Sequence, residues 1–195
     1  MANKHAVLSA SSAARWIACP PSARLNAGKS DAPSEYAAQG TDAHTLCEYK
    51  LRKALGMKVR DPTKNLASYD TEMEECAEAY CQFVMELVGQ FRAESKDTMV
   101  SVEQRVDFSA FVPDGFGTAD TLIISGKKVC IVDYKHGKGI EVSADHNPQM
   151  MCYALGCIQM FDGLYDIDEV RMVIFQPRLS NISEFSISKA DIPSW

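Results

Sequence analysis

Residues 117–135 read Gly-Thr-Ala-Asp-Thr-Leu-Ile-Ile-Ser-Gly-Lys-Lys-Val-Cys-Ile-Val-Asp-Tyr-Lys. Two runs rich in β-branched residues, 117–124 and 128–135, flank Ser125-Gly126-Lys127, which is the pattern of two strands and a turn. Glycine at the first position of a two-residue turn is the type II′ signal, so Gly126-Lys127 predicts a tight hairpin with Ser125 facing Lys128. Carried back along both strands, this register sets Asp120 directly opposite Asp133. Opposed Cβ atoms lie about 4.5–5.5 Å apart, and like charges placed there destabilise the pair unless something offsets them. Lys135, two residues past Asp133, projects from the same face. A three-residue turn would instead put the two aspartates on opposite faces. The rest of both hairpin faces is largely apolar, which reads as a pair of central strands covered on each side.

Outward from the hairpin, the chain falls into two halves. Before Lys96 the pattern is helical. Ser11 or Ser12 caps a short helix through Ala13–Cys19, stopped by Pro20-Pro21. Residues 27–34 read as a loop, Ser34 caps a helix over 35–55 ending near Gly56, 57–68 is a second loop, and a helix over 70–94 starts at Asp70. After Lys96 the period shortens to two. Residues 98–107 alternate as a strand, Pro113-Asp114-Gly115 is a turn, and the hairpin follows. Asn147-Pro148 opens a helix running to about Met160, and 169–176 and 182–188 close the pattern as strands. Ser188 to Trp195 reads as the start of a helix that goes no further. The order predicts an α/β fold with a small mixed central sheet flanked by helices and an N-terminal helical region.

Composition narrows the function classes. Apolar residues make up 46% and charged residues 24% of 195, which suits one globular domain. The net charge of −6 argues against a non-specific DNA coat, but not against an enzyme that meets DNA in one groove. Seven cysteines, an odd number falling in apolar patterns with no secretory signal ahead of them, predict reduced thiols in the cytoplasm. No apolar run reaches the length of a membrane span.

The hairpin acids have two readings. A hard divalent cation would offset the paired charge of Asp120 and Asp133, as Mg²⁺ is held by one or two carboxylates plus phosphate oxygens. The plainer reading is an ion pair of Asp133 with Lys135, leaving Asp120 solvated. Other residues bear on the choice. His44 lies one turn from Gly40 and one turn from Glu48, so the three share a helical stripe. A neutral imidazole there is a candidate metal ligand. Glu48 is equally an ordinary partner of Lys50 or Arg52. Gln149 and Tyr153, at i and i+4 near a helix N-terminus, could meet phosphate or simply form a half-buried face. Glu103, on the strand before the hairpin, is a candidate third acid or part of a solvated edge.

Taken in order, Gly40-Thr41-Asp42-Ala43-His44, Gly117-Thr118-Ala119-Asp120, Asp133-Tyr134-Lys135 and Gln149-x-x-x-Tyr153 resemble the motifs of the PD-(D/E)XK nuclease superfamily, and most closely its RecB-type exonuclease branch. The opening, Leu8 to Ser11 and Trp16 to Pro20, is similar to the N-terminal helix of such proteins. About residues 8–190 also resemble an uncharacterised phage and prophage family that carries this domain. The resemblance implies a restriction-endonuclease-like αβββαβ core and a single nuclease domain, with 1–96 mainly helical and 97–190 holding the sheet. It implies His44, Asp120, Asp133 and the Tyr134 carbonyl as metal ligands, Lys135 as the catalytic lysine, and Gln149, Tyr153, Glu103 and Glu48 as site support or DNA contacts. The cofactor would be Mg²⁺ or Mn²⁺. The reaction would be hydrolysis of DNA phosphodiesters, with an exonuclease on linear DNA in phage recombination or replication favoured. A structure-specific endonuclease, or a non-catalytic DNA-binding or assembly protein with a degenerate site, are the alternatives. DNA is the implied partner, in a bacterial host cytoplasm. A phage single-strand-binding or annealing protein and a second copy of the chain are further candidates.

One family feature is missing. Many RecB-type members hold an iron–sulfur cluster with one N-terminal and three C-terminal cysteines. Cys19 fits the first position, but Cys157, inside a helix, is the one cysteine after Tyr153. A cluster is therefore not expected.

Overall fold

In the longest helix, Met73, Cys76, Ala77, Tyr80 and Val84 recur every three or four residues, and all are buried. That spacing is one face of a 3.6-residue helix. The computed structural model, which describes residues 6–26 and 34–192, places it at α4, Thr71–Glu94. Asp70 caps α4, its side chain accepting from the Met73 N–H, and Ser34 caps α3 (Glu35–Ala54) through the Ala37 N–H. Both caps sit where the sequence puts them. Of the expected 27–34 loop, residues 27–33 lie outside the described part. Pro20-Pro21 does end the first helix, α1 (Ala13–Ala18), but Pro21 also opens a second one, α2 (Pro21–Asn26). The fixed φ of proline suits a first helical position as well as it stops a preceding helix.

Among the described residues the sheet has five strands in the order β1-β2-β3-β4-β5. They span Met99–Asp107, Phe116–Ser125, Lys128–Tyr134, Glu169–Gln176 and Asn181–Ser188. β1–β2, β2–β3 and β4–β5 are antiparallel, while β3 and β4 are parallel, joined across α5 (Pro148–Phe161). The sequence α4, β1–β3, α5, β4 is the expected αβββαβ order. β5 alternates in exposure along its length, as an edge strand with one wet face does. It ends at Ser188; residues 189–191 turn, Ile192 takes a 3-10 conformation, and the remainder of the segment expected to start a helix, 193–195, lies outside the described part.

The hairpin forms as its turn chemistry dictates. Gly126 has φ +57 and Lys127 stays at negative φ, the type II′ pattern. Ser125 pairs with Lys128 and Thr121 with Val132, so the register is the one the glycine predicts. Both hairpin faces are covered. Leu122, Ile124, Val129 and Ile131 join the core beneath α5, while Ile123, Cys130, Val132 and Tyr134 join the core beneath α3 and α4.

α5 is buried without a break from Met150 to Cys157. A helix apolar all round needs cover on its outer side too. The N-terminal segment supplies it through Ala10, Ala13 and Trp16. The Trp16 indole N–H donates to the Ser9 carbonyl at 2.9 Å and fixes that segment. All seven cysteines are free, and burial pushes the Cys130 and Cys152 thiols up to about 12, so these two are packing groups rather than nucleophiles. No helix among the described residues is long and apolar enough to cross a membrane.

α5 meets β1 backbone-close at Gly156. A Cβ there would lie 2.8 Å from the Asp107 carbonyl oxygen and against a Val106 methyl. Gly156→Ala should therefore cost about 1–3 kcal/mol by overpacking, read as a lower urea midpoint. An unchanged midpoint would mean that α5 and β1 are not so closely packed.

Candidate metal centre

The β2–β3 ladder stops at Thr121 and Val132, one step short of Asp120 and Asp133. The β1–β2 ladder skips the same row: Val102 pairs with Thr121 and Gln104 with Ala119, leaving Glu103 across from Asp120. Three acids thus occupy one row over three neighbouring strands, and the regular pairing breaks along it. Glu103 takes φ +54, a left-handed conformation in mid-strand. For a residue with a Cβ this costs on the order of 1–3 kcal/mol and marks a constrained position. Asp120 fills the opening with its own side chain, Oδ2 accepting from the Tyr134 N–H at 2.7 Å.

His44 comes to this row from α3, in the layer opposite α5. Its Nδ1 is 3.3 Å from Asp120 Oδ1, and its ring stands edge-on to Tyr134 at 5.5 Å. A ligand nitrogen of His44 and one carboxylate oxygen each of Glu103 and Asp120 all lie within 4.8 Å of one another. α3 is fixed at both ends of this stretch. Asp42 accepts from the Ser68 N–H at 2.8 Å, and Arg52 donates to the Val102 carbonyl at 3.0 Å, next to Glu103. Glu48 pairs with Arg52 at 2.9 Å, the ordinary partner its spacing allowed.

Asp133 belongs to a second group on the α5 side. It is 2% exposed. Lys135 Nζ sits 2.8 Å from its Oδ2 in a largely buried ion pair. Gln149 bridges the two, its Nε2 donating to Asp133 Oδ1 at 2.8 Å and its Oε1 accepting from Lys135 at 2.8 Å. The Tyr153 hydroxyl accepts from Gln149 at 3.2 Å and donates to the Thr118 carbonyl at 2.7 Å. Gly117 makes room for this ring: a Cβ there would lie 2.8 Å from Tyr153 Cε1. The Asn147 side chain, accepting from the N–H groups of Gln149 and Met150, sets the helix start that aims Gln149.

The electrostatics follow from the crowding. Burial pulls the His44 imidazole down, but the Asp120 carboxylate outweighs it and raises His44 to about 9. Burial, reinforced by the Asp120 charge, raises Glu103 to about 7. Burial opposes ionisation of Asp120 as well, yet His44 and the Tyr134 N–H hold it below the usual carboxylate range. Asp133 is raised, by burial first and the Asp120 charge next, against the pull of Lys135. Lys135 loses to burial but is held up by Asp133 and ends above its ordinary value, a firm cation. Three carboxyl groups in one row, a ladder open along it and an imidazole nitrogen beside them fit a bound cation, which would displace the protons on His44 and Glu103.

Of the residues singled out in sequence, His44, Glu103 and Asp120 gather as the metal-capable group, and Asp133, Lys135, Gln149 and Tyr153 interlock beside it. Tyr134 separates the two by its backbone, with its N–H committed to Asp120. Asp120 is not solvated, its side chain being 13% exposed. Cys19 is exposed just after α1, while Cys157 is buried on α5. Among the described residues the one cluster of three metal-donor side chains is His44, Glu103 and Asp120. Sequence reasoning missed a brace behind the site. The Tyr134 hydroxyl bonds His136 Nδ1 at 2.8 Å, and Arg178, paired with Glu72 at 2.7 Å, donates to the His136 carbonyl at 3.3 Å. No spacing in the sequence links residues 72, 136 and 178.

A family model described as "Protein of unknown function (DUF2800)" matches residues 5–195. A solved structure described as "Crystal structure of SSO0001" is 17% identical, with 79% of this chain and 83% of that chain covered and a TM-score of 0.27. At that score the likeness carries no structural argument.

The raised groups give the metal-free protein a signed pH dependence. A proton on Glu103 stabilises the fold fully below its ordinary value of 4.5 and is lost as pH rises through about 7. A proton on His44 does so below 6.5 and is lost as pH rises through about 9. Melting temperature should therefore fall from about pH 5 to pH 9, and Glu103→Gln should remove the lower part of that fall. A flat profile in the metal-free protein would contradict the cluster.

Proposed function

The chain belongs to the DUF2800 family, and we propose that it is a metal-dependent deoxyribonuclease of the PD-(D/E)XK type. The observation that carries this reading is the row of Glu103, Asp120 and Asp133 over three adjacent strands, with His44 at one side and Lys135 at the other. The motif order that resembles RecB-type nucleases supports DNA as the substrate and favours an exonuclease on linear ends.

The donors suit Mg²⁺ or Mn²⁺. Carboxylates are the ligands of both, and an imidazole nitrogen widens the set toward Mn²⁺. His44, Glu103 and Asp120 would hold the ion, and Asp133, at the next position of the row on β3, would share it. When bound, the cation supplies Lewis acidity toward a phosphate oxygen and the attacking water.

The chain's own groups supply the rest. Lys135, held above its ordinary value, stays protonated at neutral pH. It therefore acts as a fixed positive charge against the phosphate as negative charge develops, rather than as a general base. Glu103, raised to about 7 in the metal-free protein, would give up its proton as the cation binds and so would serve as a ligand rather than as a proton carrier. Gln149 holds Lys135 and Asp133 at their mutual distance, and Tyr153, anchored on the Thr118 carbonyl, holds Gln149. The overall charge of −6 is no obstacle, because the acids that contribute to it at the site are those a cation would offset.

The native protein should degrade end-labelled linear duplex with Mg²⁺ or Mn²⁺ and not with chelator. Asp133→Ala should abolish this, and Lys135→Ala should lower kcat by roughly 10²–10³ while Mn²⁺ affinity by calorimetry is kept. Undiminished degradation by Asp133→Ala, or activity in chelator, would overturn the assignment. A closed circular substrate left uncut would separate exonuclease from endonuclease action.

A further inference from the structure

Along α3, Tyr36, Gly40 and His44 form one ridge at i, i+4 and i+8. The ridge climbs from the metal-capable cluster into solvent: the His44 side chain is 36% exposed and Tyr36 is 87% exposed. Gly40, between them, has no reason in the fold to be glycine. It is interior to α3, its φ is not positive, and a Cβ built on it meets nothing within 4 Å. Glycine inside a helix is a net cost against alanine, because the unfolded chain gives up more freedom. A bare helical glycine with open space above it lets something from outside approach the backbone closely.

Bareness alone is no signal. Gly89 on α4 is equally open, but its i−4 and i+4 neighbours are Met85 and Ala93. Gly40 differs in having a metal-capable histidine one turn to one side and an exposed aromatic ring one turn to the other. The stretch is also held still. Ser34 caps the helix through the Ala37 N–H, and Gln39 accepts from Arg178 at 3.4 Å.

We propose that this ridge is the track of a single DNA strand leaving the metal centre, its sugar–phosphate backbone crossing Gly40 and an unpaired base stacking on Tyr36. The inference rests on the nuclease reading and adds to it where the strand goes and in what state. Eight residues at about 1.5 Å put Tyr36 about 12 Å from His44 along the helix. That is about three to four stacked nucleotides at roughly 3.4 Å each. Stacking on an aromatic face tolerates any base, so the ridge would select for unpaired strand rather than for sequence.

The test uses short single-stranded oligonucleotides carrying 2-aminopurine at successive positions, with Ca²⁺ in place of Mg²⁺. The native protein should quench the fluorophore at one position. Tyr36→Ala should remove the quench and weaken binding about tenfold, while Tyr36→Phe retains both. Gly40→Ala should raise the melting temperature yet weaken the same binding, a combination that damage to the fold cannot produce. Affinity for Mn²⁺ alone should be unchanged in Tyr36→Ala. If the native protein binds and cuts, but Tyr36→Ala and Gly40→Ala bind and quench as it does, the track is wrong and the nuclease reading stands. If the native protein neither binds nor cuts DNA with any divalent cation, both fall.

Discussion

Carboxylates on neighbouring strands repel, and a sheet that places three in one row must relieve them one at a time. Each acid here is treated differently. Asp133 has Lys135 and Gln149, Asp120 has His44 and a backbone N–H, and Glu103 keeps a proton to about 7. The cost is visible in the backbone. Both ladders skip the row, and Glu103 is driven into a left-handed conformation. The same break has a use. Where the strands are not paired, a side chain from α3 can meet acids that otherwise face α5. A site fed from both layers of the fold follows from one disrupted row.

The surrounding structure is arranged to hold that row. α5 is sunk between the sheet and the N-terminal segment, so Gln149 and Tyr153 rise from an immobile base. Gly117 and Gly156 let the helix close on β2 and β1. On the other side, Arg52 ties α3 to the carbonyl preceding Glu103, and Arg178 ties the turn after β4 to α4 and to His136. Preorganised polar groups of this kind are worth most where charge will develop in a reaction.

Much of this was legible in the residues. Gly126 sets the turn type, the turn sets the register, and the register places Asp120 beside Asp133. Ser34, Asp70 and Asn147 marked helix starts because their side chains satisfy orphan N–H groups, a local event that sequence records well. What stayed hidden was non-local. The pairing of β1 with β2 depends on a long connection, so Glu103 could be a third acid or a solvated edge until the register was seen. α2 was missed because Pro20-Pro21 signals a stop and a start with the same residues. The burial of α5 on every side depends on cover from Ala10 and Ala13, far away in the chain. The division of the site into a His44–Glu103–Asp120 group and an Asp133–Lys135–Gln149 group is a matter of side-chain direction, which spacing does not encode.

The central claim is that the broken row exists to hold a divalent cation. Crystals of the native protein grown with Mn²⁺, with data collected at the manganese absorption edge, test it most directly. The account predicts one strong anomalous peak within about 2.0–2.6 Å of ligand atoms from His44 and Asp120, with Glu103 or Asp133 completing the set. A Mn²⁺-soaked crystal with no anomalous peak at this row, and His44 still paired with Asp120 alone, would contradict it.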